Sequence, residues 1–150
     1  MNSLQNLKHF NIIAAQNVTT SATIASNTID TKGFDDLQIV FTRVTSAAAD
    51  AMTSFAIQSS DTTAASDFAA VTGYVSGTDY TLASIVGGAN TAAAKPSVFN
   101  IDLRGKKRYF RIQLQTATAG YIAATASLGR AEQSPITAST QGCAVVVNPS

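Results

Sequence analysis

Ser97-Val-Phe-Asn-Ile-Asp-Leu-Arg-Gly-Lys-Lys-Arg-Tyr-Phe-Arg-Ile-Gln-Leu-Gln115 decides the fold class of this chain. Phe99, Ile101 and Leu103 alternate with Asn100, Asp102 and Arg104, and Phe110, Ile112 and Leu114 alternate with Arg111, Gln113 and Gln115. A period of two is the signature of strands with one face buried. The short Gly-containing link between the two runs predicts a β-hairpin. Its six apolar side chains are expected at the centre of the core.

Other segments read the same way. Leu37, Ile39 and Phe41 alternate with Gln38, Val40 and Thr42, and Val44 closes the run. Both faces are fairly apolar, which predicts a central strand. Met52 to Ser59 predicts a strand with Phe55 and Ile57 inward, and Asp67 to Val75 a shorter one. Tyr121 to Leu128 places Ile122, Ala124, Ala126 and Leu128 on one face. Phe10 to Ala14, Thr19 to Ile29 and the apolar run Cys143 to Val147 complete the set. Turn signals at Asp30-Thr-Lys-Gly33, Ser60-Asp61 and Ala119-Gly120 separate them. Many short strands without strand–helix alternation imply an all-β antiparallel sandwich, jelly-roll or immunoglobulin-like, with long loops and little or no helix. Ala47 to Ala51 and Asp61 to Ala70 could each hold one helical turn. Tyr80 to Lys95 is expected to be a long loop.

The 150 residues suit a single domain, 1–150, with a proper core. A net charge of +1 and a charged fraction of 13% argue against a nucleic-acid binder that works by bulk charge. No apolar run reaches the ~18 residues of a membrane span. Met1 to Lys8 lacks the pattern of a signal peptide, so synthesis in the cytoplasm is expected. With one cysteine, Cys143, no internal disulfide can form.

Candidate chemistry is sparse. His9 is the only histidine, and a triad would have to use it. Its neighbours Lys8 and Phe10 point instead to a strand start. Cys143 lies in an apolar run, unlike a reactive thiolate. The acidic pair Asp35-Asp36 suits a capped turn better than a metal site. No phosphate-binding glycine loop is present. These observations predict no enzyme, no cofactor and no metal. Half of the ten Lys and Arg fall in the opening segment: Arg104, Lys106, Lys107, Arg108 and Arg111. Arg104, Lys106, Lys107 and Arg108 are the candidate protein-contact residues. The link that holds them reads either as a solvated tip that discourages edge pairing or as an electrostatic dock. Asp102 is expected to pair with Arg111.

The order of the pieces resembles a family of small β-rich head proteins of tailed bacteriophages that decorate or cement the capsid. The pieces are Asp30-Thr-Lys-Gly-Phe-Asp-Asp-Leu37, Phe55-Ala-Ile-Gln-Ser-Ser-Asp61, Ile101-Asp-Leu-Arg-Gly-Lys-Lys-Arg-Tyr-Phe-Arg111 and Leu128-Gly-Arg130. The resemblance covers roughly Thr28 to Pro135. It implies a non-enzymatic virion structural protein on the capsid exterior, bound across subunits of the major capsid protein and forming trimers or dimers. No membrane or direct nucleic-acid partner is implied. Arms at 1–20 and 142–150 are expected to reach a neighbour by strand addition. The alternative is a tail or host-attachment module that binds glycans through Tyr109 or Tyr121.

Overall fold

The structure is a computed structural model that describes residues 7–44, 52–80, 82 and 96–129. The Cys143–Val147 run, the 142–150 arm, the 47–51 turn and most of the 80–95 loop lie outside the described residues.

The strands are β1 (Lys8–Val18), β2 (Thr23–Ala25), β3 (Ile29–Asp30), β4 (Asp36–Val44), β5 (Met52–Ser60), β6 (Ala69–Val75), β7 (Ser97–Asp102), β8 (Tyr109–Thr116) and β9 (Gly120–Gly129). A single 3-10 turn, Ala65–Asp67, is the one helical piece among the described residues. The sandwich consists of two antiparallel sheets. Sheet I runs β1-β9-β4-β7; sheet II runs β2-β8-β5-β6, with β3 also on β8. As expected, β4 is interior to its sheet, flanked by β9 and β7.

The strands pair in a nested series: β1 with β9, β2 and β3 with β8, β4 with β7, β5 with β6. This is one long antiparallel ribbon folded over on itself. With β2 and β3 counted as one interrupted strand, the order is that of the eight-stranded jelly roll.

The nesting corrects the hairpin reading of Ser97–Gln115. β7 bonds to β4 in sheet I, and β8 bonds to β5, β2 and β3 in sheet II. Consecutive strands on one arm of the ribbon go to opposite sheets, so the link 103–108 crosses the sandwich. Both runs nevertheless turn their apolar side chains into the same inter-sheet space. Phe99, Ile101, Leu103, Phe110, Ile112 and Leu114 are all buried there. Phe55 of sheet II lies between Phe41 and Phe99 of sheet I, at ring-centroid distances of 5.0 and 5.3 Å. Fully burying side chains of this size stabilises by roughly 1.5–3 kcal/mol each. On β9 the inward Ala124 and Ala126 are small, and Ala126 faces Ile39 across the ladder.

Two further differences concern the N-terminal third. Residues 8–18 form β1 of the chain's own sheet, so that part of the expected 1–20 arm belongs to the sandwich. Bulges let β1 bury Ile12 and Ile13 in succession, which hides its length from a strict period of two. The expected strand Thr19–Ile29 is split. At Ser26 the backbone amide donates to the Ile112 carbonyl (2.9 Å), while the Ser26 hydroxyl accepts from the Ile112 amide (2.9 Å). The next amide, Asn27, turns away to the Ile12 carbonyl (2.9 Å) and ties sheet II to sheet I.

Candidate functional site

The link begins where β7 ends. Leu103 is buried and its amide donates to the Asp35 carbonyl (2.8 Å), which anchors the link to the start of β4. The Lys106 amide returns to the Leu103 carbonyl (3.0 Å), with Gly105 at φ +71°. A left-handed residue in a tight turn favours glycine.

Two of the four candidate contact residues form ion pairs within the chain, both exposed on its surface. The Arg104 Nε and Nη2 donate to Asp102 Oδ1 and Oδ2 at 2.9 and 2.6 Å. The Arg108 Nε and Nη2 donate to Asp30 Oδ1 and Oδ2 at 2.8 and 2.7 Å. Both are forked pairs, the geometry in which arginine recognises carboxylates best. Asp102 therefore pairs with Arg104, not with Arg111 as expected, because two residues along the link bring the fork back over the carboxylate. Arg111 lies over the Phe68 ring at 4.2 Å and donates to Gln58 Oε1 (2.8 Å) and the Ala65 carbonyl (3.2 Å).

The electrostatics follow from these pairs. The Arg108 fork holds the Asp30 carboxyl below its ordinary range, and Asp30 in turn raises the Arg108 guanidinium. Arg104 is raised by its bonds to Asp102, with Asp35 and Asp36 adding to the effect. Asp36 and Asp102 face each other across β4 and β7, so Arg104 offsets a pair of like charges. Asp67 is lowered by hydrogen bonds from the Thr62 and Ser66 hydroxyls.

Register places 30–36, 61–67 and 102–111 at one end of the sandwich. These segments hold six acids (Asp30, Asp35, Asp36, Asp61, Asp67, Asp102) and six bases (Lys32, Arg104, Lys106, Lys107, Arg108, Arg111). The basic link is thus set in a balanced charged end, not in a positive field. Among the described residues, no hydrogen bond or ion pair engages the side chain of Lys106 or Lys107; exposed beside them at this end are Lys32, Asp35 and Asp61.

The remaining candidates are scattered. His9 is near the start of β1, with Nδ1 2.8 Å from the Ser127 hydroxyl on β9. The same row continues through Gln38, whose amide donates to Asn100 Oδ1 (2.9 Å). His9, Ser127, Gln38 and Asn100 thus form a polar ladder across sheet I. Tyr121 is 63% exposed, beside Val44 and Asn17. Tyr109 is half-buried under the Arg108 guanidinium, 4.9 Å from its ring centroid. No cluster of three or more His, Cys, Asp or Glu side chains suits a metal ion among the described residues.

Several structural groups escape a reading of the sequence. Arg43 is 2% exposed and donates through Nη2 to the Thr118 carbonyl (3.0 Å) and hydroxyl (3.1 Å). Strand parity was the available signal, since Arg43 falls on the inward series Leu37, Ile39, Phe41. The Tyr74 hydroxyl donates to the Asn100 carbonyl (2.6 Å), and Asp79 caps two amides of β6. No sequence signal marks either.

No protein-family model matches the chain, and no curated protein matches it.

Proposed function

We propose that this protein is a non-enzymatic virion structural protein that decorates a bacteriophage capsid by binding across major capsid protein subunits. The observation that carries the reading is how the polar chemistry is spent. Arg104, Arg108, Arg111 and His9 each make a bond that holds one strand or link to another. Binding is left to the outer sheet faces and to the mixed-charge end that carries Lys106 and Lys107. The jelly-roll strand order supports the reading at the level of fold, since viral coat domains share it, although a fold alone does not assign a function. The resemblance over Thr28–Pro135 points the same way. Many copies on a symmetric shell gain avidity from weak single contacts, which suits a surface with little charge bias.

The test is particle stability. Capsids that take up the protein should resist heat and chelation better with it bound than without it. Equal resistance at full occupancy would defeat the cementing role.

Tyr121 favours one alternative, a host-attachment module that binds surface glycans, because its ring stands free on sheet I. Glycan-array binding lost in Tyr121→Ala would support that reading over the first. Tyr109, partly covered by Arg108, is the weaker candidate for the same role.

A further inference from the structure

A sheet edge offers unpaired N–H and C=O groups to any extended backbone that arrives. Among the described residues, the long edge strands are β1 and β7 in sheet I and β6 in sheet II; the other side of sheet II is edged by the short β2 and β3. Each long edge meets a partner from its own chain. On β1 the Ile12 carbonyl accepts from the Asn27 amide (2.9 Å). On β7 the Asn100 carbonyl accepts from the Tyr74 hydroxyl (2.6 Å). On β6 a single carboxylate oxygen, Asp79 Oδ2, accepts from the amides of Gly73 (3.0 Å) and Val75 (2.9 Å).

The direction of those two amides matters. Ser76 donates its amide to the Phe55 carbonyl of β5 (2.9 Å). The Val75 amide, one residue before, therefore points away from β5, and the Gly73 amide, at φ +90° within the irregular stretch, converges on the same Asp79 oxygen. The ladder is also irregular here, with a register shift between Ala56 and Gln58. Asp79 reaches back from a tight turn in which its own amide and that of Thr78 both donate to the Val75 carbonyl (2.8 and 3.3 Å).

We infer that Asp79 is an edge guard: its carboxylate occupies the edge amides through which a strand of a second copy of this chain would add to β6. A carboxylate suits the task because it only accepts and because an added strand would have to displace and desolvate its charge. The Tyr74 hydroxyl likewise occupies one acceptor of the neighbouring strand β7, the Asn100 carbonyl. Copies that meet on a lattice then meet through faces and ends. This inference concerns the free protein and stands whether or not it binds a capsid.

Full-length wild type, Asp79→Ala and Asp79→Asn are compared by sedimentation equilibrium. Freeing two edge amides, each contributing as a net backbone hydrogen bond, should raise the self-association constant of Asp79→Ala about ten- to hundredfold. Asp79→Asn keeps an acceptor oxygen but loses the charge, and should fall between wild type and Asp79→Ala. An Asp79→Ala protein with a wild-type amide fingerprint and wild-type association would overturn the inference. Asp79→Ala also loosens the turn, so a second measurement uses the wild type alone. Hydrogen exchange at Gly73 and Val75 should be slowed well below the rate of a free amide, and exchange at the free rate would equally overturn it.

Discussion

Arg43 offers the sharpest perturbation of the fold, because the inward face of a core strand rarely ends in a guanidinium. Arg43→Ala removes two buried methylenes, about 0.8 kcal/mol each, and leaves the rest of the stem's space poorly filled. It also removes two charge-assisted bonds to Thr118, at 3.0 and 3.1 Å, from the connection between β8 and β9. Hydrogen bonds to charged groups contribute about 1.5–3 kcal/mol in mutational series, counted once because both bonds leave the same nitrogen, Nη2. Together these give a loss of about 3–5 kcal/mol, or roughly 6–20 °C in Tm for a chain of this size. Arg43→Met should behave differently. It keeps the apolar stem and loses the same two bonds, so its loss should be smaller than that of Arg43→Ala by the packing part alone, about 1.5–2 kcal/mol. Urea unfolding with a constant m-value reads both changes as shifts in midpoint. An Arg43→Ala protein within about 0.5 kcal/mol of wild type would refute the reasoning, since surface substitutions behave that way.

Phe55→Ala should cost about 3–5 kcal/mol by urea unfolding, because it opens a cavity between Phe41 and Phe99 that neither sheet can close alone. Arg104→Ala should lower the unfolding midpoint, because Asp102 loses its forked pair at 2.9 and 2.6 Å, and added salt should narrow the difference from wild type. The Asp30 carboxyl is lowered from its ordinary value of 3.8 by Arg108, so its stabilisation is complete above that value and is lost as pH falls through the lower folded one. Asp30→Asn should accordingly flatten the acid limb of the stability–pH profile, by under about 1 kcal/mol because the pair is exposed. An unchanged acid limb would remove Asp30 from that account.

Side-chain direction was legible from the residues; pairing partners were not. The alternation in 37–44, 52–60, 109–116 and 121–129 reports which side chains face inward, and those side chains are buried. Alternation cannot say which strand lies alongside. Two alternating runs separated by six residues look alike whether the link folds them into a hairpin or carries the second into the opposite sheet. Leu103 was the available sign, since an apolar side chain on the link itself is anchored between the sheets when the link crosses. The bulges of β1 and the break at Ser26 were hidden for a related reason: each depends on a bond to a residue about a hundred positions away. The link's charges were visible as a cluster. Their neutralisation was not, because Asp30 meets Arg108 only once the sheets have closed.

The most direct test of the proposed role is cryo-electron microscopy of capsids incubated with the purified protein. The account predicts density for a small β-sandwich astride the boundaries between capsid subunits, with the 103–108 end toward the shell, and reduced occupancy for the Lys106→Ser/Lys107→Ser double variant as salt rises. Bare capsids at saturating protein, or density confined to the tail, would contradict it.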